Sequence, residues 1–130
     1  MQAQTSITPL KVFLVEDSAL ICERLERLLG AIPGVEVVGS AATAQDALRG
    51  LARTGAAVAI IDIRLKDGNG FTVLKGLSST GSLVVPIMLT NDATQGVRLA
   101  CRNEGARLFF DKSEDFNRVR EAIRELVTDQ

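Results

Sequence analysis

Glu16, Asp17, Asp62, Thr90 and Lys112 lie far apart in the chain, yet each closes or follows a short apolar run. Lys11 to Val15 leads into Glu16-Asp17, Val58 to Ile61 into Asp62, Leu83 to Leu89 into Thr90, and Leu108 to Phe110 into Asp111-Lys112. Burying a lone carboxylate at the end of such a run costs several kcal/mol unless a partner satisfies it. Taken singly, Asp17-Ser18 reads equally well as a helix cap and Asp62 as the start of a turn. Taken together, three close carboxylates repel and raise each other's pKa, which a cation filling the cluster relieves. Oxygen ligands supplied by few protein groups suit Mg²⁺, which keeps several waters and often bridges to phosphate. A carboxylate attacking phosphorus has no proton to lose, so such a site needs no histidine base. Its remaining tasks are in-line positioning and neutralising oxygen charge. On this reading Asp62 is the nucleophile, Glu16 and Asp17 hold the metal, and Thr90 and Lys112 bind phosphoryl oxygens.

The elements that must bring these residues together alternate along the chain. Strands are expected over Lys11–Val15, Val35–Val38, Val58–Ile61, Leu83–Leu89 and Leu108–Phe110. Between them, apolar residues recur at helical spacing. Ile21, Leu25, Leu28, Leu29 and Ile32 mark the first helix, and Ala44, Ala47, Leu48 and Leu51 the second. The third spans about Phe71 to Leu77, and Ala93, Val97, Ala100 and Cys101 mark the fourth. Phe116, Val119, Ile123, Leu126 and Val127 stripe the last. Near-continuous apolar strands alternating with helices predict an α/β fold, a parallel sheet covered on both faces. Five βα units are too few for an eightfold barrel, so the sheet is open and doubly wound. The functional crevice then lies beyond the carboxyl ends of the strands, where the five candidates sit. Residues 1–9 read as an N-terminal tail and 10–130 as one domain.

Composition narrows the chemistry. With no histidine among 130 residues, Ser-His and Cys-His catalysis and most zinc sites are excluded. Cys22 and Cys101, both inside helical patterns, read as small buried hydrophobes and not as a disulfide. A net charge of −1 without a Lys/Arg run gives no footprint for nucleic acid or an anionic membrane. MQAQTSITP lacks the regions of a signal peptide and no stretch is apolar for long enough to span a bilayer, so a cytoplasmic location is expected.

The segments VFLVEDSALICERL, IIDIRLKDGNGFTVLKGL, VVPIMLTNDA and ARLFFDKS, in that order, resemble the receiver domain of two-component response regulators. The resemblance runs from Lys11 to about Val127. It implies the flavodoxin-like strand order 2-1-3-4-5 with five helices. It also implies phosphorylation of Asp62 by the phosphohistidine of a sensor histidine kinase or histidine phosphotransfer protein. Mg²⁺ would be held by Glu16, Asp17, Asp62 and the backbone carbonyl of Arg64, while Thr90 and Lys112 contact the phosphoryl group. Phe109 matches the family's switch aromatic, which moves inward when the Thr90 loop closes. Arg64 and Asp92, each two residues beyond a site residue, are candidates to pair over the site and slow phosphate loss. The surface of helix 4, strand 5 and helix 5 is where the resemblance places output, by homodimerisation or by binding a downstream protein. Two departures stand out: Ser113 replaces the proline usual after the lysine, with a cis or a trans peptide both open, and LKDGNG lacks the frequent proline after Asp62.

Rival readings exist. A haloacid-dehalogenase-type phosphatase would carry a second acid where Arg64 stands. A flavin carrier would need a phosphate cradle where Glu16-Asp17 would repel one. A constitutive, non-phosphorylated interaction module would not need all five site positions filled.

Overall fold

The computed structural model describes residues 8–129, so the expected tail over residues 1–9 lies mostly outside the described residues. Ten elements alternate along the chain: β1 Leu10–Val15, α1 Ala19–Gly30, β2 Val35–Ala41, α2 Ala44–Thr54 and β3 Val58–Ile61. They continue as α3 Gly70–Ser79, β4 Val85–Thr90, α4 Gln95–Asn103, β5 Leu108–Asp111 and α5 Arg118–Thr128. All strand pairs are parallel and the sheet order is β2-β1-β3-β4-β5, the expected doubly wound arrangement. No helix among the described residues is long and apolar enough to cross a membrane.

Side chains alternate across the strands, so the sheet has two cores. Val12, Leu14, Val58, Ile60, Ile87, Leu89 and Phe110 face Leu25 and Leu29 of α1 and Val119 and Ile123 of α5. Phe13, Val15, Ala59, Ile61 and Met88 face α2 and α3, with Cys101 of α4 at the margin. Burying one such Leu or Ile contributes roughly 1.5–3 kcal/mol. Four helices start on a side chain that accepts a backbone N–H: Ser18, Thr43, Asn69 and Thr94. Each such cap stabilises by about 1 kcal/mol, and Ser18 thus has the capping role read from Asp17-Ser18. Gly55 ends α2 in the left-handed region, φ 67°, where other residues are strained.

Several expectations need correction; Ala93 precedes the Thr94 cap of α4 and Ile32 follows the end of α1, so neither lies in the helix expected to hold it. Leu83 does not begin β4: it is 94% exposed, and the strand starts at Val85. Phe116 fits the helical stripe in spacing but sits in the turn before α5, from which it packs into the α1/α5 core. Ala100, placed on the apolar face of α4, is exposed.

Candidate functional site

Parallel pairing puts all strand carboxyl ends at one edge of the sheet. Register then sets their level: Val15 pairs with Ile61, and Ile61 with Met88, so Glu16 and Asp62 leave the sheet side by side. The Asp62 N–H donates to the Val15 carbonyl at 2.9 Å and the Glu16 N–H to the Ala41 carbonyl at 2.9 Å. The alternation that turns Leu14 and Ile60 toward α1 and α5 carries Glu16 and Asp62 to the same side. Lys112, two residues beyond Phe110, arrives there from β5.

Lys112 Nζ donates to Asp62 Oδ2 at 2.6 Å and to Glu16 Oε1 at 2.8 Å, with all three side chains at most 10% exposed. The other Glu16 oxygen accepts the Ser18 N–H at 3.0 Å. Asp17 is exposed, and its carboxylate together with those of Glu16 and Asp62 offers oxygens all within 4.8 Å of one another. Three carboxylates against one ammonium leave a surplus of two negative charges. That surplus and the all-oxygen donor set fit a small divalent cation.

Burial pushes the Glu16 carboxyl above the ordinary glutamate value, although Lys112 and the Ser18 N–H pull it down. Burial works against the Lys112 ammonium too, but its hydrogen bonds to Asp62 and Glu16 outweigh that and hold its pKa above the usual lysine value. The lysine therefore stays charged where the carboxylates need it.

Thr90 closes β4 with its side chain buried, and its Oγ1 accepts the Asp92 N–H at 3.1 Å. Its carbonyl accepts the Lys112 N–H at 2.9 Å, tying the ends of β4 and β5. Phe109 pairs with Met88 in register and is half-buried, with the Arg98 guanidinium stacked 4.7 Å from its ring centroid. Arg98, Leu99, Arg102, Arg107 and Phe109 line a groove of about 420 Å³ between α4 and β5. Arg64 is exposed and bridges to Asn69 across the β3–α3 turn. Among the described residues no ion pair joins Arg64 to Asp92.

In the LKDGNG turn, Gly68 and Gly70 read from the sequence as permissive positions, and the structure shows what Gly70 is for, while the turn around Lys112 went unrecognised. Gly70 lets the turn after β3 close on itself: a Cβ there would stand 2.2 Å from the Asp62 carbonyl oxygen. Asp111, Ser113 and Asp115 form a hydrogen-bonded turn around Lys112, whose peptide to Ser113 is trans. The FFDKSED run carried a signal for this, since Asp and Ser around a missing proline are turn formers. Both cysteines are free, Cys101 buried and Cys22 half-buried.

The sequence family described as response regulator receiver domain matches residues 12–124. The protein-glutamate methylesterase/protein-glutamine glutaminase 1 of Carboxydothermus hydrogenoformans is 32% identical over 119 residues, covering 90% of this chain and 35% of that protein. The DNA-binding transcriptional activator DevR/DosR of Mycobacterium tuberculosis is 41% identical over 69 residues, covering 53% of this chain and 32% of that one. The chain thus spans about a third of the length of these curated relatives. The response regulator domain of Thermotoga maritima CheB superposes with a TM-score of 0.81 at 23% identity, over 93% of this chain and 95% of that one. The receiver domain of NarL from Mycobacterium tuberculosis superposes with a TM-score of 0.86 at 20% identity, over 95% of this chain and 100% of that one. At such identities the superpositions speak for the fold alone, but the sequence match runs through nearly every element described above, and the chain belongs to the response regulator receiver domain family.

Proposed function

We propose that this receiver accepts a phosphoryl group on Asp62 from the phosphohistidine of a sensor histidine kinase or histidine phosphotransfer protein. One observation carries the reading: a single buried ammonium, Lys112 Nζ, is shared by Asp62 at 2.6 Å and Glu16 at 2.8 Å at the carboxyl edge of the sheet. In the transfer an Asp62 carboxylate oxygen attacks phosphorus. The P–O bond forms as the P–N bond breaks, and the imidazole leaves with the electron pair and takes a proton from solvent. An ammonium has three protons to donate, so Lys112 can bond a phosphoryl oxygen as Asp62 Oδ2 is consumed. The Thr90 hydroxyl can donate to a second phosphoryl oxygen while still accepting the Asp92 N–H. Glu16, Asp17, Asp62 and the Arg64 carbonyl would hold Mg²⁺, which would supply the charge neutralisation that two approaching anions need.

The acyl phosphate returns to carboxylate by hydrolysis, at a rate that Arg64 and Asp92 tune from the two flanking loops. Closure of the Thr90 loop on the phosphoryl group draws Phe109 inward. That biases the α4–β5–α5 surface toward homodimerisation or a downstream protein partner. Neither nucleic acid nor membrane takes part, and the setting is cytoplasmic.

The test is incubation with Mg²⁺ and acetyl phosphate, followed by intact mass. Wild type gains one phosphoryl group and the folded Asp62→Asn variant gains none. A wild type that takes up nothing, or an Asp62→Asn that does, overturns the assignment.

A further inference from the structure

Lys112 has to deliver its ammonium from the end of β5, an edge strand with a neighbour on one side only. A lysine side chain carries roughly 2 kcal/mol of rotamer entropy, so its aim depends on how firmly its own backbone is held. That backbone is fixed from both sides. The Lys112 N–H donates to the Thr90 carbonyl at 2.9 Å. Asp111 Oδ1 reaches across Lys112 and accepts both the Ser113 N–H, at 2.9 Å, and the Ser113 hydroxyl, at 2.7 Å. The Asp111 carbonyl accepts the Asp115 N–H at 2.7 Å and the Glu114 N–H at 3.2 Å. The Asp111 N–H in turn donates to Asp115 Oδ2 at 3.1 Å. With no ring at position 113, these hydrogen bonds hold the turn between the end of β5 and Phe116, which is packed in the core.

We propose that Asp111 and Ser113 are positioning residues for Lys112, fixing the turn from which its ammonium reaches both Asp62 and Glu16. The role rests on the phosphoacceptor reading of Asp62, but it assigns two residues outside that constellation. The Ser113 hydroxyl and N–H hold the Asp111 carboxyl below the ordinary aspartate range, so at neutral pH it accepts these bonds as a carboxylate. Hydrogen bonds to a charged group are the stronger kind.

Two measurements on the full chain test it. The first is the initial rate of phosphoryl uptake from acetyl phosphate with Mg²⁺, read by intact mass. Asp111→Ala is expected to slow it about tenfold and Ser113→Ala about threefold, within the ~10²-fold that a 1 Å misplacement can cost. Asp111→Asn and Ser113→Thr, which keep an acceptor and a hydroxyl, recover most of the rate. In a Lys112→Ala background, Asp111→Ala costs nothing further, because the group it positions is gone. The second is the ¹⁵N signal of the Lys112 ammonium in the unphosphorylated protein. Two buried carboxylates protect it in wild type, and that protection is lost in Asp111→Ala. A wild-type rate with an unchanged ammonium signal in Asp111→Ala overturns the role, and so does a loss that adds in full to that of Lys112→Ala. If Asp111→Ala does not fold, Ser113→Ala, which removes one hydroxyl, decides by the same readouts. If wild type itself takes up no phosphoryl group, the phosphoacceptor reading fails, and the ammonium signal alone decides whether the turn positions Lys112.

Discussion

The two ends of the α2–α3–α4 layer are packed very differently. Toward α2 and α3, backbone comes close to its neighbours through glycine. A Cβ at Gly50 would stand 2.4 Å from Phe13 Cζ, and one at Gly76 would stand 2.8 Å from Leu48 Cδ2. Both helices bury four residues. Toward the edge of the sheet, α4 buries only Cys101, and a Cβ on its Gly96 would meet nothing within 4 Å. On that side Leu99 of α4 and Leu108 of β5 are 49% and 38% exposed, and Arg98 of α4 stacks on Phe109 of β5. Regions with few buried apolar contacts open at lower free energy than tightly packed ones. The site lies between the two, with Asp62 anchored beside the tight end and Thr90 and Lys112 on the strands of the loose end. A charge change at Asp62 thus has a firm wall on one side and a yielding one on the other.

The contrast breaks most easily by deletion in each region. Leu74→Ala on α3 empties a 1% exposed position and should cost about 4 kcal/mol, within the 2–5 typical of such cores. Val97→Ala on α4, where the side chain is half-buried, should cost about 1 kcal/mol. Urea denaturation of both variants decides, and equal losses would erase the difference. Next in size is Gly70→Ala. Its new methyl would meet the Asp62 carbonyl oxygen at 2.2 Å and Ile61 Cγ2 at 2.8 Å. Since a backbone oxygen cannot rotate aside, about 3 kcal/mol is expected, the top of the usual overpacking range. Phosphoryl uptake should fall with it, because Asp62 must shift to make room.

The packing contrast was not legible in the sequence, but much of the fold and of the site was, and what was not has a physical cause. The strands announced themselves because a parallel sheet covered on both faces demands continuous apolar runs, and their ends therefore announced the site. Leu83 was misplaced because hydrophobicity alone cannot distinguish a strand residue from an exposed loop leucine. Phe116 was misplaced because it lies three residues before Val119 and seven before Ile123, which is helical spacing even when the first member belongs to a turn. Gly70 was legible as a permissive turn position, but its approach to the Asp62 carbonyl and the Asp111–Ser113 turn stayed hidden for another reason. Their roles depend on which backbone atoms approach them, and only the folded chain settles that.

Gly96→Ala reverses the sign. In a helix interior alanine is preferred to glycine by roughly 0.5–1 kcal/mol; Gly96 lies in the first turn of α4, and no neighbour stands in the way of a Cβ there. The variant should be more stable than wild type by at most about that amount in the same urea experiment. A loss instead would mean that α4 is packed more closely than its open surroundings indicate. The same substitution at Gly50 or Gly76 should be destabilising.

The smallest effect concerns the loops that meet over the site, Arg64 from the tight side and Asp92 from the loose one. In the unphosphorylated protein the two do not pair, and Arg64 is exposed. Arg64→Ala should therefore change folding stability by less than about 0.5 kcal/mol. A pair formed over the phosphorylated site as the Thr90 loop closes would be solvent-facing and worth about 0–1 kcal/mol. At ~1.4 kcal/mol per factor of ten, that limits the effect to a few-fold. Arg64→Ala should accordingly shorten the half-life of the phosphorylated protein two- to fivefold, measured as decay of the phosphoryl adduct after the donor is removed. Asp92→Ala should do the same, and the double variant no more than either, since both remove one contact. An unchanged half-life in the single variants would leave hydrolysis to the metal, Thr90 and Lys112, and the two sides of the site would communicate through the strand ends alone.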